Sequence, residues 1–162
     1  MIFALLLAAV AITGCGDAHS HSDKADEHEV KLQLTAYGND FEVYAEATPF
    51  VVGEKSDILA HFTLLNNFKP LTGGSVTASL IVGGKKVIET VKTPAHPGIY
   101  KFDLTPETAG RGQIVFDIQS DSVKSQIIVK DVNVYTKRED AQHAAADAVV
   151  ESSNAVVFTK EM

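Results

Sequence analysis

The chain has 162 residues, a formal net charge of −7, six histidines, one cysteine and no tryptophan. An acidic surface repels phosphate backbones, so nucleic acid is excluded as a natural partner. A lone cysteine offers neither an internal disulfide nor a thiolate metal cluster, so the fold must rest on a hydrophobic core, for which the length suffices in a single domain.

Residues 1–14 are apolar or small and lead directly into Cys15. The run is too short to cross a bilayer, which takes about 20 apolar residues. Ile12-Thr13-Gly14-Cys15 has the form of a lipobox. Small residues there fit a narrow peptidase site, and the Cys15 thiolate takes up diacylglycerol before cleavage. Residues 1–14 are therefore expected to be a lipoprotein signal segment, Cys15 the lipid attachment site, and the mature protein a membrane-anchored lipoprotein. No Lys or Arg precedes the apolar run, which points to a translation start upstream of Met1. A buried N-terminal strand with an incidental cysteine is the competing reading.

Residues 15–29 contain no large apolar side chain. They cannot offset the entropy of ordering and are expected to form a solvated, lipidated tether. This tether holds His19, His21 and His28 among Asp17, Asp23, Asp26, Glu27 and Glu29. Imidazole with carboxylate suits divalent zinc or copper, and the His-x-His spacing lets two rings reach one ion. Ordering a flexible loop makes such binding weak and pH-dependent. The competing reading is a linker whose histidines bind nothing.

From Val30 onward the pattern alternates with period two, the mark of half-buried strands. Val30, Leu32 and Leu34 share one face; after a turn at Gly38-Asn39-Asp40, so do Phe41, Val43 and Ala45. Ile58, Ala60, Phe62 and Leu64 make a third strand, and Val76, Ala78, Leu80 and Val82 a fourth. Gly83-Gly84 favours a two-residue hairpin, because both positions accept positive φ. Val87 to Val91 returns from it, and Pro97-Gly98 turns into Tyr100, Phe102 and Leu104. Ile114, Phe116 and Ile118 follow, then Val123, Ile127 and Val129. Val132 and Val134 fall out of phase with Val129, which predicts a β-bulge near Lys130-Asp131. Eight or nine short strands over residues 30–135 predict an antiparallel, immunoglobulin-like β-sandwich, without the Cys-Trp-Cys core of antibody domains.

Residues 136–162 break the pattern. Lys137 to Val150 is Ala-rich with the propensity of a short helix, but its apolar face is thin. Ala155 to Phe158 then opens a new apolar strand. The segment reads as a helical linker and the start of a further domain.

One family resembles this combination. The lipobox, the His/Asp-rich tether, Leu34-Thr-Ala-Tyr-Gly-Asn-Asp-Phe-Glu-Val-Tyr-Ala-Glu-Ala-Thr-Pro-Phe-Val-Val-Gly-Glu54, Gly53-Glu-Lys-Ser-Asp-Ile-Leu-Ala-His-Phe-Thr63 and Pro97-Gly-Ile-Tyr-Lys-Phe102 are similar to the N-terminal region of periplasmic adaptor (membrane-fusion) subunits. These serve resistance-nodulation-division pumps of the heavy-metal branch. Related sandwiches occur alone in exported proteins of the YtkA-like kind. The closing Val156-Val-Phe-Thr-Lys-Glu161 resembles the start of the adaptor's barrel-sandwich domain. The resemblance implies a location on the periplasmic side of the cell envelope and a role in transmembrane cation efflux. It implies an inner-membrane pump and an outer-membrane channel as partners, both engaged through adaptor parts outside this chain. The only methionines are Met1 and Met162, so the methionine clusters by which some metal-pump adaptors hold monovalent copper or silver have no counterpart. A stand-alone lipoprotein that binds or delivers divalent metal is the alternative.

The other histidines carry weaker signals. His61 alternates with Ala60 and Phe62, so it should face away from the core. His96 sits in a Pro- and Gly-set turn. His143 lies three residues from Asp140 and four from Asp147, on one helical face. No serine sits in a nucleophile elbow, and neither Gly73-Gly74 nor Gly83-Gly84 opens a helix as a phosphate loop does. An enzyme is not expected.

Overall fold

The computed structural model describes residues 30–121 and 123–154. Nine strands and one helix occur among them: β1 (Leu32–Tyr37), β2 (Phe41–Ala47), β3 (Phe50–Val51), β4 (Ser56–Leu64), β5 (Ser75–Val82), β6 (Lys85–Val91), β7 (Ile99–Leu104), β8 (Gly110–Gln119), β9 (Lys124–Tyr135) and α1 (Arg138–Asn154). They form a two-layer sandwich, with sheet order β1-β2-β4-β7 in one layer and β3-β9-β8-β5-β6 in the other.

Alternation built these layers. Phe41, Val43 and Ala45 point inward from β2, Ile58, Ala60 and Phe62 from β4, and Tyr100, Phe102 and Leu104 from β7; all are buried. The facing sheet supplies Val76, Ala78, Leu80 and Val82, then Ile114, Phe116 and Ile118, and Ile127, Val129, Val132 and Val134. The two inner faces meet in a cluster of rings. Phe116 lies 5.3 Å from Phe62, edge-on, and 5.8 Å from Phe102 (centroid distances), and Phe62 lies 5.6 Å from Tyr100. Such pairs add about 0.5–1.5 kcal/mol each beyond their buried area. They fill the place that tryptophan and a disulfide take in antibody domains.

Local signals match the turns. Gly83 and Gly84 have φ of 55° and 79°, the two positive values a type I′ hairpin requires. The expected bulge is present: Gly112 pairs with Val132 and Ile114 with Val129, so Lys130 and Asp131 together oppose Gln113. Asp131 takes a φ of 62° to make this kink, a conformation its short polar side chain tolerates. The bulge restores phase, and Val129 and Val132 both reach the core.

Two differences from the sequence reading stand out. Strand β1 starts at Leu32 and leaves Val30 outside it. Strand β3 was not expected: Phe50 and Val51 cross to the other sheet and pair in parallel with Val134 and Tyr135. Phe50-Val51-Val52 has no alternation, because consecutive buried residues at a sheet switch do not face one layer. Elsewhere the pairing of strands is antiparallel. At the free edge of β7, the Asp103 backbone N–H donates to the Glu89 carboxylate of β6, which covers a donor that would otherwise recruit another strand.

Helix α1 starts where Arg138 pairs with Glu54 at 2.6 Å, and Glu139 and Asp140 sit in its first turn, favourable at that end of the helix dipole. Only Ala141 and Ala145 of its described side chains are buried. It extends four residues past the expected end at Val150.

Candidate functional site

Strand directions sort the connections into two ends. Leu32 pairs with Ala47 and Tyr37 with Glu42, so β1 enters at one end and its turn lies at the other. The same registers place the connections β4–β5, β6–β7 and β8–β9 beside that turn. The start of β1, the Gly83-Gly84 hairpin and the passage from β9 into α1 share the opposite end.

The β4–β5 connection carries an unbroken exposed run from Asn66 to Pro70. The Leu65 N–H donates to the Asp40 carbonyl at 2.9 Å, the Phe68 N–H to the Leu64 carbonyl at 2.9 Å, and the Leu64 N–H to the Lys69 carbonyl at 2.8 Å. The Lys69 N–H also bonds the Asn67 side-chain oxygen at 3.0 Å. This tight loop holds Phe68 at φ 56°, a left-handed conformation that costs an L-residue roughly 1–2 kcal/mol. The residue is 79% exposed. Glycine normally fills such a position, so a phenylalanine here is a strained and exposed apolar group.

Beside it opens a groove of about 220 Å³. Buried Phe41 and Leu71 and half-buried Leu64 and Val123 form its apolar wall; Thr72 and Asp121 are exposed. The neighbouring loops are tied together. The Gly98 N–H donates to the Leu71 carbonyl at 2.8 Å, and the Phe62 N–H to the Gly98 carbonyl at 2.9 Å. The Tyr100 hydroxyl donates to the Gly74 carbonyl at 3.0 Å, and burial raises its pKa above the ordinary tyrosine value. A rigid scaffold presenting a loop cluster is a common form of binding surface.

A second groove, of about 230 Å³, runs between α1 and the β1–β2 hairpin, with Lys31, Thr35, Tyr44, Ala145 and Ala148 along it. The Lys31 ammonium donates to the Thr48 hydroxyl at 2.7 Å. Partial burial, with the adjacent Glu46 carboxylate, raises the Tyr44 pKa.

The expected site residues divide sharply. Cys15, His19, His21 and His28 lie outside the described residues, as does the Ala155–Phe158 segment. His61 faces outward as expected, half-buried, its ring 6.0 Å from that of Tyr44. His96 is exposed in the β6–β7 loop, where its carbonyl accepts from the Ile99 N–H at 2.8 Å. His143 is exposed on α1 with Asp140 and Asp147. The structure does not bring these three histidines together; among the described residues no group of three or more His, Cys, Asp or Glu could hold a metal ion. Phe68 went unnoticed in the sequence. Its signal was a bulky residue after Asn66-Asn67, at the loop position where glycine would be expected.

No protein-family model, curated protein or solved structure matches the chain.

Proposed function

We propose that this chain is the N-terminal domain of a periplasmic adaptor subunit of a heavy-metal cation efflux system, supporting transmembrane transport from a lipid anchor on Cys15. One observation carries the reading beyond the resemblance itself. The chain enters the sandwich at β1 and leaves it through α1 at the same end, and the loop cluster occupies the opposite end. A module so connected hangs beside the main path of the chain and offers its loops to a partner without interrupting that path. Its role is binding and organisation, not chemistry. The inner-membrane pump and the outer-membrane channel of that system are partners of the whole adaptor, engaged through parts outside this chain.

The test is genetic. In the source cell, in-frame removal of the codons for residues 30–135 should lower tolerance to zinc, cobalt, nickel or copper, and Cys15→Ser should move the protein from the membrane to the soluble fraction. Unchanged tolerance to all four cations would refute the transport role, and unchanged fractionation would refute the anchor. Several acyl chains hold a protein firmly where one gives only marginal binding.

The histidine tether favours a second reading, a stand-alone lipoprotein that binds or delivers divalent metal. An inner-membrane pump gene immediately downstream favours the adaptor over this reading, and zinc titration of the parent and of the His19→Ala, His21→Ala, His28→Ala triple variant tests the tether itself. Heat released by the parent and lost in the triple variant supports metal handling by the tether; equal traces leave it a linker.

A further inference from the structure

The strained loop and the groove beside it are complementary to each other but belong to the same end of the same molecule. We infer that two copies of this chain pair through their loop ends, the Phe68 ring of each entering the groove of the other. Phe68 in an isolated chain bears both an unfavourable backbone conformation and an unfavourable exposure, with φ 56° and 79% of its surface in water. The loop's own hydrogen bonds, the Phe68 N–H to the Leu64 carbonyl among them, hold that backbone in place but leave the side chain in water. The groove has room for a ring, about 220 Å³ where a cavity on the order of 150 Å³ already admits benzene, and it sets Phe41, Leu64, Leu71 and Val123 on one side against polar Thr72, Ser120 and Asp121 on the other.

Charge selects a second copy over other occupants. Lys69 follows Phe68 in the loop, and Asp121 stands at the groove. Neither joins an ion pair among the described residues. A two-fold axis brings each Lys69 to the partner's Asp121, and the self-complementary patch occurs twice, as an isologous interface demands. Chains of net charge −7 repel one another at long range, so opposed charges at the contact are what fix register and favour approach.

Two measurements on the full chain test this. A photoreactive phenylalanine analogue placed at position 68 should, on irradiation in the cell, give an adduct of two copies, linked to residues 71–74 or 120–123. Adducts only with another polypeptide or with lipid, or no adduct, would overturn the pairing. Sedimentation of the lipid-free Cys15→Ser chain supplies the second. Phe68→Gly should weaken self-association by about tenfold or more while raising the thermal midpoint, since it relieves the backbone strain. Lys69→Glu and Asp121→Lys should each weaken it, and the double charge reversal should restore it. A double variant no better than either single, or Phe68→Gly associating like the parent, sinks the proposal. These readouts are self-association alone, so they stand or fall apart from the transport reading.

Discussion

Ser79 is buried on a face that looks outward. It stands in a cross-strand row with Ile88 of β6, Val115 of β8 and, through Val115, Ile128 of β9. These aliphatic neighbours shield it to 1% exposure, and its hydroxyl has no hydrogen-bond partner among the described residues. A buried hydroxyl left unsatisfied costs about 1–3 kcal/mol. Ser79→Ala should therefore stabilise the protein by about 1 kcal/mol in urea denaturation; a loss of stability would mean that the hydroxyl has a partner after all. Tyr100 makes the opposite case, a buried hydroxyl with a partner. Its pKa in the folded protein is raised by burial, so folding favours the neutral phenol. That stabilisation is complete below the ordinary tyrosine value near pH 10 and is lost as pH climbs through the folded value. Stability should fall as pH rises above the ordinary tyrosine value, and Tyr100→Phe should flatten that fall. An unchanged slope in the variant would assign the alkaline loss to other groups.

The bulge between β8 and β9 shows how an element can be read from phase alone. Val129 and Val132 are three apart, yet both reach the core, which a regular strand cannot allow. An extra residue was the only economical answer, and Asp131 supplies it. The Arg111–Asp131 ion pair at 2.6 Å is exposed on both sides, and adds at most about 1 kcal/mol. More depends on Gly112, next to the residue that faces the bulge, where a Cβ would collide with the Ile81 carbonyl oxygen of the neighbouring strand. Gly112→Ala should cost about 2 kcal/mol or more, read as a lower denaturation midpoint with an unchanged slope. Strand β3 was illegible for the converse reason. Two residues hold no period, and its partner strand lies more than eighty positions on in the chain, at Val134 and Tyr135.

Helix α1 tests how self-contained the sandwich is. Its only buried side chains among those described are two alanines, and an alanine methyl contributes about 1 kcal/mol or less on burial. A chain ending at Lys137 should keep the cooperative unfolding of the sandwich with a loss below about 3 kcal/mol. Loss of cooperative unfolding would instead make α1 part of the core. The histidines show the limit of reading sites at this level. His61 could be assigned to the outer face because a strand sends neighbours to opposite sides. Its contact with Tyr44 needed the register of β2 against β4.

Period-two burial and turn chemistry were enough to name every strand but β3, the hairpin at Gly83-Gly84, the bulge at Lys130-Asp131 and the two-layer class, since each depends on residues close together in the chain. The order of strands within the sheets, the crossing of Phe50 and Val51 between layers, and the burial of Ser79 depend on partners far apart in sequence. So does the loop end, where Phe68 and its groove are neighbours only because β1–β2, β4–β5 and β8–β9 turn at the same place. Local free energy selects an element, but long-range packing alone selects which elements meet.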